Sequence, residues 1–550
     1  MAPLPPDGTR ISSGPNGRCL IATRTFPPGA VIGKFPSPII ALPDGPGIKT
    51  TCNWCLRVGS EAGGTLKLKA CTACKAAVYC DAKCQRAHWK YIHKAECRVF
   101  TNLRETLGKD WLPTPVRATV QVLLHLKGGD AVVTEAFRGS EKLQGNVEGF
   151  KSDPQVWKDF ELMSMAAATY SGQLQNKESL DEAMKVLCQV QTNAFNRLDP
   201  DTGATGIFLD PSLAMVNHSC IYNAFVGFEK RTATLRATQQ IDEGDEIMIS
   251  YIDSTLPRST RQGALRLYHF TCGCPRCSGN LDAYEVCQSL PAIPLNSFSL
   301  QPDLKKLQNP SIDRSKVTKE QVERIHNEWY EKTNSRTDDA MDIAEDRWKI
   351  CKPLVEANMW AIEPVPSTIL GLCNYWQTQY KWVVYALPLA CFLATECDPV
   401  KYPAPFETWR VKGIIVIVQL LAVTGELTSS GELAKRCPHE GIVGVLALAD
   451  QVTMCQGLLH LAIHHGLIGA DEDWQVLKDA KAMLKDLESL PGREKESSLI
   501  QAWAKNPEDP QGKVFFEEEV LKPVKELSSI APEILDAMLG NSLQIRVSRG

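Results

Sequence analysis

The chain lacks a long apolar run. Its longest, Trp382–Ala394 and Gly413–Val423, are shorter than the roughly 18 residues a membrane-crossing helix needs, and Pro388 interrupts the first. The reading is of a protein without a membrane segment. A secretory leader is also missing, because Met-Ala-Pro-Leu-Pro-Pro has no basic stretch followed by an apolar one. Charge of one sign is scarce. A net charge of −4 over 550 residues gives no general attraction to nucleic acid or acidic lipid. No repeat of fixed period is visible. These absences point to an intracellular protein, and the length to roughly two to four domains.

Cysteine is what stands out against this background. There are 20, and in a reducing compartment so many point to metal or catalysis rather than disulfides. Those from Cys287 onward stand singly in apolar helical contexts and read as small buried hydrophobes. The earlier ones are paired: Cys52 with Cys55, Cys71 with Cys74, Cys80 with Cys84, and Cys97 with His93 four residues before it. A C-x-x-C knuckle sets two thiolates at the separation a tetrahedral ion needs. The i, i+4 pairs share one face of a helix. Seven cysteines and one histidine suffice for two four-coordinate zincs, with His88 a competitor to His93. This stretch has too little apolar content to fold unaided, so metal would supply the missing stability. It is also basic, with Lys67, Lys69, Lys75, Lys83, Arg86, Lys90, Lys94 and Arg98. That face is either solvated or a weak contact for DNA or an acidic partner.

Along the chain, residues 1–50 carry short strand signals, Arg18–Thr23 and Ala30–Phe35, between Gly and Pro turns. Residues 51–97 hold the cysteine cluster. Residues 98–190 read as helical, with amphipathic runs at Val116–Leu126 and Val156–Thr169. Short strands return over 191–253: Gly206–Leu209, Asn223–Phe228, Ala233–Ala237 and Glu246–Tyr251. Residues 280–317 read as an irregular connection. Beyond Lys319 the pattern is helical, including Glu320–Glu331, Ala340–Asn358, Phe406–Ala422, Ile442–His464, Trp474–Leu490 and Val514–Leu527.

Within the strand-rich stretches stand, in order, Asn193-Ala-Phe195, Asn217-His218-Ser-Cys220, Gly244-Asp-Glu246, Ile249-Ser-Tyr251, Tyr268-His-Phe270, and then Cys272, Cys274 and Cys277. In this order and spacing they resemble the core of SET-domain lysine methyltransferases. The text from Tyr79 to Cys97 resembles a MYND zinc finger. A SET core with an inserted MYND finger is the pattern of the SET–MYND (SMYD) family.

The resemblance implies an α+β multidomain fold. A β-rich SET domain is interrupted by the finger at 51–97 and by a helical insertion at 98–190. Its core lies at 191–253 and is followed by a post-SET zinc flap at 254–280. An all-α, TPR-like domain occupies 281–550. The implied activity is methyl transfer from S-adenosyl-L-methionine to a histone or non-histone lysine. Tyr251 would sit at the transfer point, and Phe195 and Tyr268 would shape the lysine channel. Asn16, Gly17, Arg18, Asn193, Asn217, His218, Tyr251 and Phe270 would hold the cofactor. One zinc would take Cys52, Cys55, Cys80 and Cys84, a second Cys71, Cys74, His93 and Cys97, and a third Cys220, Cys272, Cys274 and Cys277. The finger would bind a proline-rich peptide. The implied state is a monomer in the nucleus and cytoplasm. One departure stands out: Cys19 fills the place of the second glycine in the family's Gly-x-Gly-Leu strand. That suggests a narrowed cofactor site or an adjusted φ, and it motivates a second reading, a weak or inactive scaffold that recruits partners. The substrate and the degree of methylation are not legible in the sequence.

Overall fold

Alternating apolar residues and glycine turns make the first strands. The hairpin β1 (Thr9–Gly14) and β2 (Gly17–Ala22) pairs Ser12 with Cys19 and closes on Gly17, whose φ of +99° a side chain would strain. The computed structural model describes residues 5–14, 17–59, 66–199, 203–290, 300, 307, 310–333, 340–379, 382–470, 472 and 474–539. The chain forms two units. The first is Met1–Ile252 with Ala264–Cys272, and the second is Asp253–Gly263 with Gly273–Gly550.

In the first unit, β3 (Val31–Phe35) and β4 (Ile40–Pro43) precede the finger, which adds the small pair β5 (Lys69–Ala70) and β6 (Val78–Tyr79). After the helical insertion come β7 (Phe195–Asp199), β8 (Gly203–Leu209), β9 (Asn217–His218), β10 (Ala224–Glu229), β11 (Thr232–Ala237) and β12 (Met248–Ile249). They build two three-stranded sheets, β10-β11-β3 and β4-β8-β7, and a two-residue parallel pair, β12-β9. The six-residue strand expected over Glu246–Tyr251 shrinks to Met248–Ile249. Around it, Ile247 and Asn223 bond to Leu20 and Met248 through the backbone instead of continuing a ladder. Leu20, Phe26, Phe208, Val216, Leu235 and Ile247 fill the core beneath.

The insertion's helices include Thr114–Lys127 and Pro154–Tyr170, each slightly longer than the apolar periodicity indicates, and Lys177–Asn193. An Asn176/Ser179 capping box starts the last one. Its final residue is Asn193, so the helix delivers Asn193 and then Phe195 to β7. The finger does not fold on metal alone. Cys52, Cys71, Cys74 and Cys97 share one core with Ile39, Leu42, Phe100 and Val116.

The second unit is helical among its described residues, from Lys319–Thr333 to Lys522–Leu539. Three expectations need correction. The stretch 280–317 is not wholly irregular, because Asp282 and Glu285 form a capping box for a helix at Ala283–Ser289. The helix expected over Ile442–His464 is two, Glu440–Leu448 and Gln451–Gly469, bent by 82°. Asp450 makes the break by accepting the Thr453 N–H and so capping the second helix. Finally, two helices, Val383–Lys401 and Thr408–Ser429, are long and apolar enough to cross a membrane by length and composition. The first of these helices continues through Pro388, which interrupts the apolar run in the text. Within the unit 83% of the first apolar window and 50% of the second are buried.

Candidate functional site

The parallel pairing of β9 with β12 lays two motifs side by side, with Asn217 against Met248 and His218 against Ile249. Tyr251 follows directly. Its backbone N–H donates to His218 Nδ1 at 3.0 Å, which leaves the imidazole proton on Nε2, 3.4 Å from Cys220 Sγ. The Tyr251 hydroxyl donates to the Val216 carbonyl at 2.7 Å. Burial raises its pKa, helped by Tyr268 and Glu246, so it stays protonated. Burial likewise raises Tyr268. Rings surround Tyr251: Tyr268 at 5.0 Å, His218 at 5.3 Å and Phe270 at 6.4 Å between centroids. Phe270 is 38% exposed beside His218, an open aromatic face next to polar groups. Phe195 packs on the same core that supports Tyr251.

Two asparagines of the sequence motifs have their amide donors occupied by the protein. Asn217 Nδ2 donates to the Arg18 carbonyl at 3.1 Å and to Glu246 Oε1 at 2.9 Å. Asn193 Nδ2 donates to the carbonyls of Gln144 and Gln189, each at 2.7 Å. Each Oδ1 is left as the acceptor. Such a site suits a ligand with an ammonium or hydroxyl donor and a flat ring. Glu246, which sequence reading passed over as a spacer residue, orients Asn217; the signal was its place in Gly244-Asp-Glu246.

Other expected residues are placed differently. The Arg18 guanidinium has partners in the helical insertion. It donates to the carbonyls of Glu141 and Lys142, at 2.5 and 2.7 Å, and so ties β2 to the insertion. Cys19 has no left-handed φ. It is buried in the strand, and its thiol turns to the Ser12 carbonyl at 3.5 Å. The pairing with Ser12 accepts a side chain on that face with an ordinary strand φ. Asn16 lies outside the described residues.

The cysteines of the finger assemble into two sets. Cys52, Cys55, Cys80 and Cys84 form one, and Cys71, Cys74, His93 and Cys97 the other, with ligand atoms within 4.8 Å of one another in each. Neighbouring sulfurs lie 3.4 to 3.9 Å apart. Zinc with bonds of ~2.3 Å puts tetrahedral sulfurs about 3.8 Å apart, so the ion fits both sets. The hydrogen bond from Cys55 lowers the Cys52 thiol, against the effect of burial.

His93 joins the second set, with Nε2 3.7 Å from Cys74 Sγ. His88 instead bonds to Tyr79 at 3.0 Å, and burial keeps it neutral. The group that sequence reading missed is Glu96. It faces His93 Nδ1 at 3.4 Å and accepts from Arg117 Nε and Gln121 Nε2, each at 2.7 Å. Burial would raise Glu96, but the Arg117 charge and its hydrogen bonds hold it well below the usual carboxylate range. A buried carboxylate on the far nitrogen fixes a ligand histidine's ring and tautomer. Its signal was the i, i+3 spacing from His93.

Further on, Cys220 Sγ and Cys272 Sγ lie 4.0 Å apart in the first unit. Cys274 and Cys277 open the adjoining stretch of the second, where the Cys277 N–H donates to the Cys274 carbonyl.

A model of the MYND finger family matches residues 52–97. The chain is 30% identical over 271 residues to SET domain and MYND-type zinc finger protein 6 of Schizosaccharomyces pombe, covering 49% of this chain and 52% of that protein. It is 28% identical over 383 residues to N-lysine methyltransferase SMYD2-A of Xenopus laevis, covering 68% and 81%. Against histone-lysine N-methyltransferase ASHR1 of Arabidopsis thaliana the identity is 31% over 280 residues, covering 50% and 55%. The match thus spans about half the length of the yeast and plant proteins. Fold and site define a β-rich domain carrying an inserted zinc finger. The chain is similar over about half its length or more to SET and MYND domain-containing proteins.

Proposed function

We propose that the chain is a protein-lysine N-methyltransferase that uses S-adenosyl-L-methionine. The observation that carries this is the convergence of His218, Tyr268 and Phe270 on Tyr251, with Asn217 beside His218 in the same short strand. The cofactor supplies a methyl group bonded to a positively charged sulfur. The side-chain acceptors of Asn217 and Asn193 suit its ammonium and hydroxyl donors, and Phe270 offers a face for its ring. Gly17, with no side chain at positive φ, lets backbone approach.

The attacking lysine must arrive uncharged. The rings of Phe195, Tyr251 and Tyr268 disfavour its ammonium by desolvation and then favour the alkylated cation. The amine nitrogen forms the new bond to carbon, the carbon–sulfur bond breaks, and the amine proton leaves to water. Positioning does most of the work, because no group of the protein changes covalently.

The same proposal assigns Cys274 and Cys277, with Cys220 and Cys272, to a third zinc, and a proline-rich peptide to the finger. It also takes the chain to act as a monomer in the nucleus and cytoplasm, on histone or other protein lysines. The test is calorimetric titration of the zinc-loaded protein with S-adenosyl-L-methionine and with S-adenosyl-L-homocysteine. Saturable one-to-one binding of both is expected, followed by transfer of a labelled methyl group to lysine in a protein mixture. A folded, zinc-replete protein that binds neither ligand would overturn the reading.

A further inference from the structure

The second unit contains a cavity of about 190 Å³ that the methyl-transfer proposal does not use. That is room for a small organic group rather than a single water. Its apolar wall is Leu256, Pro257, Val317, Val322, Met359 and Ile362. The remaining wall is charged, and its acids already have partners. Asp282 holds Arg314, Glu285 holds Lys319 at 3.1 Å, and Glu363 holds Lys401. Glu323 accepts the Ser259 N–H at 3.1 Å.

Two arginines on the wall differ. Arg261 is 1% exposed. Its terminal nitrogens donate to the Leu256 carbonyl and to Cys277 Sγ, at 3.6 Å for the latter. Its Nε–H has no partner among the described residues. A buried guanidinium donor left unmatched is costly, and an anionic oxygen would remove that cost. Arg258 stands exposed on the same wall, with no ion-pair partner among the described residues.

We propose that this cavity binds a carboxylate attached to a short apolar body, held by Arg261 and Arg258. One negative charge fits better than two, because Asp282, Glu285, Glu323 and Glu363 line the same space and would repel a second. The carboxylate has two chemical sources, a short-chain acid or the C-terminus of a peptide ending on an apolar residue. The site stands whether or not the chain transfers methyl groups.

The test is calorimetry on the full zinc-loaded chain with four probes: sodium hexanoate, hexylamine, and a leucine-ended hexapeptide with a free or an amidated C-terminus. Saturable binding of hexanoate, of the free-acid peptide or of both is expected, with none of hexylamine or of the amide. Hexanoate alone assigns the site to small acids; the free-acid peptide alone assigns it to chain ends. Arg258→Ala, on the surface and safe for folding, should weaken binding about tenfold, and Arg261→Lys by more. Failure of both carboxylates to bind, equal binding of hexylamine, or unchanged affinity in both variants would overturn the proposal.

Discussion

Tyr251 gives its single hydroxyl proton to the Val216 carbonyl, so its oxygen can face a ligand only as an acceptor. Tyr251→Phe removes that oxygen while keeping the ring contacts to Tyr268, His218 and Phe270. Turnover on a protein substrate should fall about a hundredfold. Cofactor affinity, read by titration, should change little, and equal loss of both would contradict the assigned role. A second residue makes a statement about pH. Asp398 is raised to about 6 by burial, against the pull of Lys401 and Arg410. Its folded value lies above its unfolded one, so the folded state binds more protons between the two. Its contribution is therefore favourable at low pH and is lost as pH rises through about 6. Asp398→Asn should gain about 2 kcal/mol over the native chain between pH 4 and pH 7, measured by urea unfolding at both values. Residue types were legible in the text; their orientation was not. That the Cys19 thiol turns to the Ser12 carbonyl could not be read from the text, because its strand partner was unknown. The tie from Arg18 to the carbonyls of Glu141 and Lys142 was not legible, because they lie more than a hundred residues away.

Elements were easiest to recognise where apolar periodicity was long, as in Thr114–Lys127 and Pro154–Tyr170. Periodicity cannot show a bend, so Glu440–Leu448 and Gln451–Gly469 read as one helix. The signal was nevertheless present, as Asp450 three residues before Thr453 is a capping pattern. Asp450 also holds Arg493. Asp450→Ala should cost about 1–2 kcal/mol in chemical denaturation, and Asp450→Asn should recover most of it by keeping the cap. Equal loss in both variants would place the effect in the ion pair instead. The strand expected over Glu246–Tyr251 failed for the converse reason. Its alternation is real, but backbone bonds go to Leu20 and Asn223 rather than to a long neighbour.

For the whole molecule, the ligand sets lead to a number. Twelve candidate ligands at four per ion should give about three zincs per chain by elemental analysis. A value near two would leave only the finger. Chelation should cost activity as well as stability, since Cys220 follows His218 and Ser219 directly in the chain. Cysteine spacing, short strands and long helices mark different stretches of the text. The division into two units is not so marked. Between Ile252 and Gly273 the chain passes from the first unit to the second, back, and out again. That interleaving bears on synthesis. A ribosome adds about 5–20 residues per second. Everything up to Tyr251 therefore emerges before Tyr268 and Phe270, and Asp253–Gly263 emerges between them with no partner yet made. The first unit can close around its site only once Cys272 is out, while most of the second is still unmade. A message cut after Ile252 would encode neither unit, only a site with two of its aromatic rings missing.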